Sequence, residues 1–140
     1  MYDGLIDKLG KEMKLRNFSM KTIKSYLQVV NGFLKYSSGK GMNERVVREY
    51  ILNKLEKREP SSVSHSISIL TFFFDKVLKQ KIYVPHPKRN KTLPDILTSA
   101  EVRKMIEVTL NVKHKLVIKL LYGCGLRVSE IINLKKEDVN

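Results

Sequence analysis

Apolar positions recur every three or four residues through the first half of the chain, with polar side chains filling the intervals. Leu5, Leu9 and Met13, with Ile6 beside them, make one stripe on a segment from Tyr2 to about Arg16, and Lys8, Lys11 and Lys14 turn away from it. Ser19 is a good N-cap for a second helix that repeats Ile23, Tyr26, Leu27, Val30, Phe33 and Leu34 and carries Lys21, Lys24, Gln28, Asn31 and Lys35 outside. The breaker GKG at 39–41 ends it. Asn43 then caps a third helix whose Val47, Tyr50, Ile51 and Leu55 face inward while Arg45, Arg48 and Lys54 project; Pro60 closes that segment or opens the next. A fourth, from about Ser61 to Lys79, aligns Val63, Ile67, Leu70, Phe74 and Val77, widened by Phe72 and Phe73, against a row of Ser61, Ser64, His65, Ser68 and Thr71. Nothing alternates at period two. The pattern predicts an all-α, antiparallel four-helix bundle over residues 1–81.

Residues 82–97 break the pattern. Pro85, Pro87 and Pro94, with Lys88, Arg89 and Lys91 among them, predict an extended basic linker. Helix resumes where Thr98 and Glu101 spell a capping box, followed by the stripe Val102, Met105 and Ile106. The run from Lys113 to about Tyr122 is apolar enough to predict a buried helix with Tyr122 as core packing. Gly123 and Gly125 break it before LRVSEIINL begins again. Residues 98–140 therefore read as a second helical unit. No internal repeat is present.

Composition adds a direction. The chain has 140 residues, with 27 Lys and Arg against 14 Asp and Glu, a formal charge of +13. Residues 1–90 hold 18 basic against 8 acidic side chains, +10, and residues 91–140 hold 9 against 6, +3. A hydrophobic fraction of 42% supports a folded core, so the surplus belongs to a structured surface, for which nucleic acid is the first candidate partner. One cysteine, Cys124, excludes an internal disulfide framework and, with three scattered His, argues against a metal site; it reads as structural. Charges interrupt the first dozen residues and no apolar run is long enough to span a bilayer, which reads as a soluble, cytoplasmic protein without a membrane partner.

Within the basic part, Lys21, Thr22 and Lys24 are candidates for phosphate or groove contact, or a plain solvated helix face. Ser61, Ser64, His65 and Ser68 are small enough to let a helix approach base edges in a major groove, and serve equally as capping and surface residues. Lys88, Arg89 and Lys91 read as tracking a nucleic-acid backbone, or as a merely flexible basic linker. His86 and His114 read as surface residues, and the Met and Phe positions as core.

The string LLYGCGLRVSEIINL at 120–134 carries the chemistry. Two glycines around Cys124 permit a tight turn that delivers Arg127 to the start of the next helix, a position suited to a phosphate. Ile131, Ile132 and Leu134 are expected to anchor that helix, and Glu130 to orient Arg127 or its neighbours. On these residues alone, an ordinary surface arginine after a glycine turn serves as well.

GCGLRVSEIINL resembles the first catalytic-arginine box of the tyrosine recombinases, the phage-integrase and Xer-like family. SMKTIKSYLQVVNGFLKY at 19–36 and SSVSHSISILTFFFDKVLK at 61–79 resemble helices of that family's core-binding domain, and TLPDILTSAEVRKMI resembles the join to its catalytic domain. The resemblance implies a four-helix SAM-like core-binding bundle, then a linker, then the first helices of the catalytic domain, clamped around double-stranded DNA. It implies a reaction in which a tyrosine hydroxyl attacks a DNA phosphate to give a 3′-phosphotyrosine, with no metal, ATP or other cofactor. Arg127 matches the first arginine that neutralises the non-bridging oxygens, and the family assembles tetramers during synapsis. The family's hairpin lysine, His-x-x-Arg segment, later His or Trp and nucleophilic tyrosine have no match in these 140 residues. The expectation is an N-terminal portion that binds DNA and cuts nothing alone. A free-standing, non-cleaving DNA-binding regulator and a helical adaptor with incidental charge are the alternatives.

Overall fold

A computed structural model describes residues 3–88 and 93–138. Among them every regular element is helical, as the periodicity predicts. The chain divides into two compact units, Met1–Lys91 and Thr92–Asn140.

The first unit is a bundle of α1 (Asp3–Leu15), α2 (Met20–Tyr36), α3 (Glu44–Leu55) and α4 (Pro60–Phe73), the last running on as a π-helical turn, Phe74–Leu78. Its helix ends are chemically explicit. α1 stops where Asn17 takes a left-handed conformation, φ 56°, so that its amide donates to the Lys14 carbonyl at 2.9 Å and the Phe18 amide to that of Met13 at 3.1 Å. This is a Schellman termination with asparagine in the usual glycine place. Ser19 and Asn43 then cap α2 and α3, accepting from the amides of Thr22 and Val46. Between those helices Gly39 and Gly41 hold φ of 78° and 83°, the backbone that the GKG breaker was expected to supply. Pro60 opens α4, where its missing amide costs no hydrogen bond.

The bundle closes on Leu9, Met13, Val30, Phe33, Val47, Val63, Ile67, Leu70, Phe73 and Phe74, all without solvent exposure or nearly so. Phe33 meets the rings of Tyr50 and Phe74 at centroid distances of 5.5 and 5.8 Å, joining α2, α3 and the end of α4. A second aromatic group, Phe18, Tyr26 and Phe72, ties the α1–α2 turn to α4. Not every methionine joins the core, since Met20 is exposed in the first turn of α2.

The chain does not leave the bundle at residue 82. Val84 is buried, and the backbone of Tyr83 is gripped from α3: its amide donates to Glu44 at 2.8 Å and its carbonyl accepts from Arg48 at 2.9 Å. His86 is hydrogen-bonded to Ser64 of α4. The prolines forbid helix, and the extended strap they leave is anchored by these side chains instead.

The second unit consists of α5 (Ser99–Val108), α6 (Val112–Gly123), α7 (Val128–Asn133) and a 3₁₀ turn, Lys136–Asp138. The capping box forms as spelled, with Glu101 accepting from the Thr98 amide at 2.7 Å and donating its own amide to the Thr98 hydroxyl at 3.3 Å. Both contacts of the Thr98 amide and hydroxyl hold the Glu101 carboxyl below its ordinary range. Val102 is buried, while Met105 is exposed and Ile106 half-buried.

The expectation of a buried α6 is not met. None of its residues is buried, and Tyr122, expected in the core, is 56% exposed. Ile132, expected to anchor α7, is exposed, although Ile131 and Leu134 are half-buried. Cys124, read as structural, is exposed as well. Three short helices cannot enclose one another, and an apolar helix surface reports a demand for cover without stating what supplies it.

Candidate nucleic-acid interface and the arginine box

Helices α2 and α4 contain no acidic residue, whereas α1 and α3 each contain acidic residues. The acids of α1 and α3 are largely consumed in pairs one turn apart: Asp7 with Lys11, Glu12 with Arg16, Glu44 with Arg48 and Glu49 with Arg45. Lys21 and Lys24 on α2 are exposed and enter no ion pair among the described residues, which leaves a positive surface on that helix.

The Tyr26 and His65 rings meet edge to face at 6.4 Å and join this surface to α4. Half of α4 is buried, and its solvent strip is narrow: Ser61, Ser62, His65 and Ser68. A strip of three serines and a histidine presents little bulk, which suits close approach to a groove. Thr22 is half-buried and its hydroxyl is engaged with that of Ser19 at 2.8 Å, so it contributes to the cap of α2. Ser64 lies elsewhere. It is only 7% exposed, beneath the 81–86 strap and bonded to His86, so the sequence row that grouped it with Ser61 and His65 spans two sides of the helix. Ser68 is exposed, with its hydroxyl donating to the Ser64 carbonyl at 3.3 Å. Lys88 is exposed, and Arg89 and Lys91 lie outside the described residues.

Two further cations, Lys54 and Arg58, lie beside this surface. A cleft lined by Ser25 and Gln28 of α2 and by Ser62 and His65 of α4 is completed by Lys54 and Arg58. Lys54, expected to project, is half-buried: its ammonium donates to Ser66 at 3.2 Å and sits 4.8 Å from the centre of the Tyr50 ring. Burial, and then the charge of Arg58, hold its pKa below the ordinary lysine value. The signal in the sequence was its place one turn after Tyr50 on the inward face.

In the second unit, Gly125 turns the chain with φ 64° and Arg127 takes the N-cap position of α7. The Glu130 carboxylate accepts from the Arg127 amide at 2.7 Å and from its guanidinium at 3.0 Å. Glu130 thus orients Arg127 as expected. The Arg127 side chain remains 82% exposed, with most of its donors facing solvent.

Among the described residues, no three His, Cys, Asp or Glu side chains gather as a metal-binding group. No helix there is long and apolar enough to cross a membrane.

Residues 5–83 match the phage integrase N-terminal SAM-like domain, and residues 95–140 match the phage integrase family. Tyrosine recombinase XerA of Pyrococcus horikoshii is 34% identical over 97% of this chain and 48% of its own length. Tyrosine recombinase XerC of Staphylococcus aureus is 31% identical over 89% of this chain and 48% of its own. The chain spans about half the length of the curated relatives it matches. A crystal structure of XerA recombinase superposes with a TM-score of 0.52 at 23% identity, covering 100% of this chain and 52% of that one, a likeness of fold. With both family models matched in order and the helical fold shared, the chain belongs to the phage integrase family of tyrosine recombinases.

Proposed function

We propose that this chain binds duplex DNA through the α2–α4 surface and supplies, in Arg127, one arginine of a tyrosine-recombinase active centre. The observation that carries the binding half is the absence of any acid on α2 and α4 beside the exposed Lys21 and Lys24. Such a surface attracts a polyanion at long range, and the low profile of Ser61, Ser62 and His65 allows a helix to enter a groove.

The catalytic half rests on the family and on the geometry of Arg127. In a tyrosine recombinase a tyrosine hydroxyl displaces a 5′-oxygen from phosphorus, leaving a 3′-phosphotyrosine and a free 5′-hydroxyl. Negative charge builds on the non-bridging oxygens as the hydroxyl attacks. A guanidinium fixed beside them stabilises that charge, by about 3 kcal/mol for a single well-placed donor. Glu130 would hold Arg127 in one orientation for this role while leaving its outer donors free.

Binding is tested by fluorescence anisotropy of a labelled duplex titrated with the chain at several salt concentrations. The proposal expects affinity to fall log-linearly with salt, with a slope near 0.9 per phosphate neutralised. Absence of binding at low salt would overturn it.

A further inference from the structure

We infer that Lys54 and Arg58 form a pre-built subsite for one backbone phosphate of duplex DNA, in the cleft that α2 and α4 line. This inference rests on the DNA-binding reading of the α2–α4 surface and assigns two residues to it.

The subsite has a shape and an electrostatic deficit. Ser25 and Gln28 of α2 and Ser62 and His65 of α4 line the cleft together with Lys54, in the last turn of α3, and Arg58, in the turn that follows it. The cleft lining contains no carboxylate, and among the described residues neither Lys54 nor Arg58 enters an ion pair, the nearby Glu44 and Glu49 of α3 being paired with Arg48 and Arg45. A half-buried ammonium normally acquires a counter-charge, because removing it from water is costly and a neutral hydroxyl compensates only in part. Here Lys54 has the Ser66 hydroxyl and the face of Tyr50, with a second cation nearby. Ser66 is itself committed, donating to the Ser62 carbonyl at 3.2 Å. The arrangement is preorganised and one negative charge short.

The chemistry of the walls selects the anion. Hydroxyl, amide and imidazole groups donate to oxygens without adding a competing acid, and two non-bridging oxygens of a phosphodiester can take one cation each. A free inorganic phosphate offers the same oxygens. The phosphodiester is favoured because the cleft is continuous with α2, whose Lys24 lies one turn before Gln28. A purely structural role, Lys54 serving the negative C-terminal end of α3, leaves the missing counter-charge unexplained.

The test uses the whole 140-residue chain and a labelled duplex, comparing the wild type with Lys54→Met, Arg58→Gln and the double variant. The single variants are expected to lower the salt slope, and the double variant to lower it by about 0.9, the loss of one shared phosphate. Lys54→Met should melt no lower than the wild type, since it removes an uncompensated cation and keeps the packing. If Lys54→Met fails to fold, Arg58→Gln on the exposed side chain decides the matter. Unchanged slopes in variants of a wild type that binds DNA would overturn the subsite and leave the α2–α4 reading standing. A wild type that does not bind would overturn both. Tight binding of inorganic phosphate, lost in the double variant without any change in salt slope, would assign the cleft to a free anion and overturn the inference as well.

Discussion

Glu44 and Tyr83, 39 positions apart, are joined by a 2.8 Å hydrogen bond from the Tyr83 amide to the Glu44 carboxylate. Arg48, one turn further along α3, pairs with the same carboxylate and donates to the Tyr83 carbonyl. Both backbone groups of one strap residue are thereby satisfied by a single turn of helix. The Tyr83 amide is the main reason that the Glu44 carboxyl lies below its ordinary value of 4.5, with Arg48 contributing next. Since the folded pKa is the lower one, the unfolded chain binds more protons between the two values. The clasp therefore stabilises fully above the ordinary carboxylate range and is lost as pH falls through the folded value. Glu44→Gln is expected to lower the melting temperature at neutral pH by an amount that shrinks toward zero in acid. A difference that stayed constant with pH would remove Glu44 from the clasp.

Asn17 tests the termination of α1. Its φ of 56° belongs to the left-handed region, where a β-carbon is unfavourable and asparagine is better tolerated than most residues. Asn17→Ala should cost about 1 kcal/mol, and Asn17→Gly should leave the bundle as stable or slightly more so. Urea unfolding of the two variants checks the order. Equal loss in both would mean that the asparagine side chain, and not its backbone, matters there.

For the DNA surface, position should count for more than charge. Lys21→Gln with Lys24→Gln removes two exposed cations from α2, and Lys8→Gln with Lys11→Gln removes the same charge from α1, where Lys11 already pairs with Asp7. The α2 pair is expected to reduce the salt slope by roughly 1.8, two phosphate contacts, and the α1 pair by much less. Equal reductions would show that net charge alone attracts the duplex, with no preferred face.

The bundle was legible because its information is local. Ser19, Asn43, Pro60 and the Thr98–Glu101 box each act within one helical turn, and the 3.6-residue stripes name the residues that must be covered. Lys54 and Ser64 were misplaced for a related reason. A helical wheel divides residues into inner and outer, but the boundary depends on neighbours distant in sequence: Ser66 and Tyr50 around Lys54, and His86 over Ser64. The apolarity of α6 was real, and only its cover was assumed. Arg127 was found by a motif, because an exposed arginine carries no periodic signal at all.

Arg127 also allows binding to be separated from chemistry. Its guanidinium is exposed and shares one short contact with Glu130, an arrangement of surface charges worth at most about 1 kcal/mol to stability. In a footprint built from several phosphates, one further cation is a small fraction of the affinity. Arg127→Ala is therefore expected to leave the melting temperature nearly unchanged and to weaken duplex binding less than about threefold. The same substitution in a full recombinase should abolish most strand cleavage, because its contribution is concentrated where charge develops on phosphorus. Anisotropy and melting curves on the chain, with a cleavage assay on the full protein, give the comparison. A tenfold or larger loss of affinity would make Arg127 an anchor for DNA in the ground state and would contradict its assignment to the transition state.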